Sequence, residues 1–132
     1  MNAEVYPDTA AEVAAEDRAF NEYFAQLRAV REEQRQCVVA GRAALVRIVQ
    51  VMRHGTGQSY KLRALLYSLW NGKPACVGDV LCLDWSLRKD FAAVLLAFGF
   101  EEPGNEFFYA TIKHALENYS LLNWFLAEGG VR

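Results

Sequence analysis

Leu62, Leu65, Leu66 and Leu69 recur at i, i+3, i+4 and i+7, the spacing that places all four on one face of an α-helix. This is the cleanest pattern in the chain. The signals at its two ends agree with it, since Thr56 is a capping residue and Asn71-Gly72 is a termination signal followed by Pro74. A chain built around such a segment must supply further amphipathic helices to cover its leucine face.

Helical spacing recurs on both sides. Upstream, Asp8 or Thr9 can cap a helix with Glu12 in its first turn, and Val13, Phe20, Phe24 and Leu27 then share a face edged by Tyr23 and Val30. Acids stand at its start and Arg28, Arg31 and Arg35 at its end, which complements the helix dipole. Arg31 falls on the apolar face, so packing is expected to run out near Val30. A second helix is read over Cys37 to Arg53, with Val38, Leu45, Ile48, Val49 and Met52 inward and Gly41 as the weak point where a bend would fall. No proline separates it from the first, which leaves a continuous helix open.

Downstream, Val80-Leu81-Cys82-Leu83 is too short for periodicity to assign. Asp84 is read as the cap of a helix through Leu87, Phe91, Val94, Leu95 and Phe98, stopped by Gly99. After Pro103-Gly104, Asn105 opens a helix through Phe108, Ile112, Ala115, Leu116 and Tyr119. The pattern continues through Leu122, Trp124, Phe125 and Leu126 past a kink near Ser120, as far as Gly129-Gly130. The expected architecture is all-α: an N-terminal arm over residues 1–8, then a single compact bundle of about five helices over 9–128. With 132 residues, of which 53% are hydrophobic, the chain has the matter for one core.

Composition excludes several functions. A net charge of −2 lacks the basic excess of a DNA-coating protein. The total is a cancellation, however, with −5 over residues 1–17, +6 over 18–63 and −3 over the rest. No apolar run is long enough to span a membrane, and the acidic start has no signal-peptide character. Cys37, Cys76 and Cys82 form no metal-ligand spacing with each other or with His54 and His114, so they read as buried thiols of a cytoplasmic protein with no metal and no cofactor. No nucleophile elbow, cysteine-protease signature or reasoned carboxylate pair is present, and a non-catalytic role is expected.

Two candidate binding features remain. Gly55-Thr56-Gly57-Gln58-Ser59 precedes a helix with Lys61 in its first turn, where backbone N–H groups can hold an anion. The Walker spacing is absent, and helix capping explains the same residues more economically. Arg28, Arg35 and Arg42 recur every seven residues and would form a stripe on a continuous helix. The stripe lacks the interleaved aromatics of single-strand binders, which favours an acidic protein partner over nucleic acid. Trp70, Trp85 and Trp124 each lie near a helix end; core packing is the default, and an exposed one would mark an interface anchor.

The run Thr56-Gly57-Gln58-Ser59, continued by the leucine helix to Trp70-Asn71, resembles an uncharacterised family of short bacterial proteins carried on plasmids, phages and integrative elements, with a T-G-Q-S…W-N pattern over about residues 42–98. The resemblance implies a mobile-element accessory protein and no catalytic roles. The candidate partner-binding residues are thus Arg28, Arg35, Arg42, Thr56, Gly57, Gln58, Ser59, Trp70 and Asn71. The expected function is a protein–protein interaction or regulatory module, with homo-oligomers also open; the alternative is a binder of nucleic acid or a small anion through the basic segment 28–63.

Overall fold

The computed structural model describes residues 9–98 and 106–131, and in the second stretch the side chains of 108–127. Residues 1–8, Gly99, Pro103-Gly104 and Asn105, read above as arm, stop, turn and helix opener, lie outside that range, as does Asp8 as a cap. The described residues form six helices and no strand: α1 (Ala10–Met52), α2 (Gly57–Asn71), α3 (Gly78–Leu81), α4 (Trp85–Ala97), α5 (Glu106–Asn118) and α6 (Leu122–Val131). The all-α reading holds. None of these helices is long and apolar enough to cross a membrane.

Two compact units share the chain, residues 1–33 and 34–132. In the first unit, α1 begins at Thr9, whose Oγ1 accepts the Glu12 N–H at 3.0 Å. Its expected inward face is exposed instead: Phe20 is 62% exposed, Tyr23 57% and Phe24 40%, with Val13 and Val30 also open. Among the described residues of this unit α1 is the only element, so none of them forms a second element to cover the stripe. The three rings gather on one another, Phe20 on Phe24 at 4.6 Å and Tyr23 on Phe24 at 5.7 Å between centroids.

The second unit contains the core. Leu45, Ile48, Val49 and Met52 of α1 close on Leu62, Leu65 and Leu66 of α2, on Leu87, Phe91 and Val94 of α4, on Phe108, Ile112 and Leu116 of α5, and on Phe125 of α6. Burial follows helical spacing in each element, as amphipathic helices around one core require. Leu95, expected inward, is exposed, because α4 buries only the stripe of Leu87, Phe91 and Val94.

The first two predicted helices are one. α1 passes through Cys37 and Gly41 without a break. Gly41 is not a hinge but a buried contact: a Cβ there would run into the Ala97 Cβ and come within 2.9 Å of the Ala93 carbonyl oxygen. The missing side chain lets α4 approach α1, a packing use of glycine that outweighs its helix penalty of about 1 kcal/mol. α6 likewise continues through Gly129 and Gly130 to Val131, since glycine costs a helix stability without forbidding it. Between α5 and α6 the kink is real, with Ser120 in the left-handed region at φ 56°. The ambiguous segment resolves into the short α3. The cysteines are free, but Cys76 and Cys82 are exposed and Cys37 half-buried, so the expectation of buried thiols fails. They lie around α3 and along α1, away from the apolar stripes that define the core.

Candidate functional site

α1 ends at Met52, and three residues on Gly55 takes φ 67° and donates its N–H to the Met52 carbonyl. The chain then turns through extended Thr56, the N-cap of α2. Thr56 and Ser59 form a reciprocal capping box: the Thr56 N–H donates to Ser59 Oγ at 3.1 Å, and the Ser59 N–H donates to Thr56 Oγ1 at 3.4 Å. The fully buried Ser59 hydroxyl also donates to the Val51 carbonyl at 3.3 Å, tying the last turn of α1 to the first turn of α2. A hydroxyl buried this completely needs such partners.

Gln58 reaches further. Its Nε2 donates to Asp84 Oδ2 at 2.8 Å, and its Oε1 accepts the Asp84 N–H at 2.8 Å. Both ends of one amide thus clasp one residue at the mouth of α4. Asp84 occupies the N-cap position, as the sequence suggests, but its side chain makes no bond to its own helix; the carboxylate is turned to Gln58. Gln58→Leu removes both bonds and should cost about 1–2 kcal/mol in urea unfolding. Gln58→Glu, nearly isosteric, also sets a second carboxylate against Asp84 and should cost at least as much; a loss under about 0.3 kcal/mol for both variants would show the clasp to be idle.

The candidate residues do not converge on one place. Thr56, Gly57, Gln58 and Ser59 open α2, whereas Trp70 and Asn71 close it, about 20 Å away at 1.5 Å per residue. Trp70 is half-buried, edge-on to Tyr109 at 5.2 Å and to Phe125 at 6.0 Å. Asn71 is exposed, and its Oδ1 accepts the Lys73 N–H at 3.0 Å, while Gly72 at φ 76° terminates the helix. Arg28, Arg35 and Arg42 all lie on α1, Arg28 in the first unit and the other two in the second. Arg42 borders an open groove of about 390 Å³ lined by Val46, Thr111, His114, Asn118 and Tyr119.

Other bases of the central segment are engaged. Arg47 Nη2 meets Asp90 Oδ1 at 2.9 Å, and that hydrogen bond and the attached charge raise the guanidinium above its ordinary pKa. Arg53 lies over the Tyr119 ring at 5.0 Å. Arg63 is buried over the Trp124 ring at 5.1 Å. At Arg63 the positive charge of the segment is part of the packing, whereas Arg47 and Arg53 are exposed and meet their partners at the surface. Among the described residues, no group of three metal-ligating side chains occurs.

Of the three tryptophans near helix ends, Trp70 and Trp124 are half-buried and Trp85 is the exposed one, whereas the exposure of Val77 and Leu81 beside it in sequence is not foreseen by the spacing. Trp85 is 67% exposed at the first turn of α4, with Leu81 at 68% and Val77 at 81% just before it. The first turn of α4 is braced from two sides: Gln58 holds Asp84, and Arg88 Nη2 donates to the Leu81 carbonyl at 2.7 Å. One sequence signal points there, because residues 77–83 carry more large apolar side chains than a one-turn helix can bury.

Neither a curated protein nor a solved structure matches the chain significantly. A family model matches residues 42–115, which contain α2, α3, α4 and both partners of the Gln58–Asp84 clasp. The chain belongs to that family, a family of unknown function designated DUF7673.

Proposed function

We propose that this chain is a non-catalytic protein–protein interaction module that presents Trp85, flanked by Val77 and Leu81, to an apolar pocket on another protein. The observation that carries this reading is the exposure of an indole at a braced helix start. Tryptophan dominates binding hot spots because it hides a large rigid surface at little entropic cost. A surface fixed in advance by polar ties also loses less freedom on binding. Lys89, whose Nζ lies 5.9 Å from the Trp85 ring centroid, suits a partner whose pocket has an acidic rim. The T-G-Q-S…W-N resemblance supports placing the protein among cytoplasmic accessory proteins of bacterial mobile elements, with no cofactor.

The test is affinity capture from the native host with the full chain and its Trp85→Ala variant. The variant should keep its unfolding free energy to within about 0.5 kcal/mol, as surface substitutions do. It should lose the proteins that the parent retains. Identical retention by both forms would sink the proposal. A gel-shift series over salt separates the charged alternative, since phosphate-driven binding weakens steeply as salt rises.

A further inference from the structure

The exposed face of the first unit has a charge order that selects its own partner. At about 100° per residue, Val13, Phe20, Phe24 and Leu27 fall within an arc of about 60° along α1. Glu16 and Asp17 flank the first half of this seam; Arg31 lies on its second half and Arg28 beside it. Charges that would spoil the sorting, Arg18, Glu22, Glu32 and Glu33, project more than about 100° from the seam's centre. The seam therefore runs from acidic to basic along one aromatic stripe.

We propose that α1 residues 13–31 form a self-association surface that takes a second copy of this chain in antiparallel, two-fold register. With Phe24 beside the second copy's Tyr23, Phe20 meets the second copy's Leu27 and Glu16 meets the second copy's Arg31. Two-fold symmetry repeats every pair. A parallel pairing would instead set acid against acid and base against base. The area suffices: six aromatic rings per dimer, each with roughly 100 Å² to hide, together with Val13, Leu27 and Val30 bring the interface to about 1,000 Å², where specific association begins. This surface is distinct from the Trp85 region, and neither proposal depends on the other.

Sedimentation equilibrium of the full chain tests it. The parent should be dimeric at tens of micromolar, and Phe24→Asp should be monomeric there with unchanged helical circular dichroism. Glu16→Arg alone and Arg31→Glu alone should each weaken the dimer about tenfold, since each turns both symmetry-related pairs repulsive. Mixing those two variants should restore association as a heterodimer, because each chain then offers the charge the other needs. A monomeric parent at these concentrations would overturn the proposal. So would a dimer indifferent to Phe24→Asp, or single charge variants that associate no better mixed than apart.

Discussion

Phe125→Ala should cost about 3–5 kcal/mol of unfolding free energy, the usual loss when a fully buried aromatic is cut back to a methyl. Phe125 is fully buried and holds α6 against α2 through Tyr67, 5.5 Å away between ring centroids, and Trp70. Truncation removes the apolar contact and leaves both rings facing a void. Domains of this size are stable by only about 5–15 kcal/mol, so the variant should unfold at markedly lower urea. Phe125→Leu keeps much of the volume and should lose about 1–2 kcal/mol, which keeps the comparison readable if the alanine form is too unstable to purify. Equal stability of Phe125→Ala and the parent would mean that α6 is not seated on the core.

Gly41→Ala is the second large effect, and its sign is the informative part. In an ordinary exposed helix this change stabilises by about 1 kcal/mol. Here the new methyl collides with the Ala97 Cβ and crowds the Ala93 carbonyl, neither of which is the end of a flexible side chain. The helices must separate, at a net cost of about 1–3 kcal/mol. Adding Ala97→Gly removes one of the two obstructions, so a double-mutant cycle should show favourable coupling between positions 41 and 97. A stabilised Gly41→Ala protein would contradict the close approach of α1 and α4.

Much of the fold is legible because burial within a helix leaves a periodic record. The stripes Leu62–Leu66, Leu87–Val94 and Ile112–Leu116 follow from their spacing alone. The misreadings have two physical sources. Glycine is ambiguous: Gly55 and Gly72 end helices at positive φ, while Gly41 serves packing inside one, and the residue type alone does not separate these uses. Periodicity also finds an apolar face without showing what covers it. Phe20 and Phe24 carry the same signature as Phe91 and Val94, yet the first pair is exposed and the second buried. For the site, Thr56 and Ser59 were readable as local caps. The partnership of Gln58 with Asp84 was not, because it joins residues 26 positions apart and leaves no local pattern.

That partnership also bears on how the chain is held closed. The amide of Gln58 shuts the loop that carries α2 and α3, a task that a disulfide commonly performs in small proteins. The three cysteines remain free thiols, and the closure is left to two hydrogen bonds. A covalent bridge over such a span contributes about 3 kcal/mol or more but needs an oxidant to make and a reductant to undo. The amide opens and recloses under thermal motion alone, and neither step needs an oxidant or a reductant.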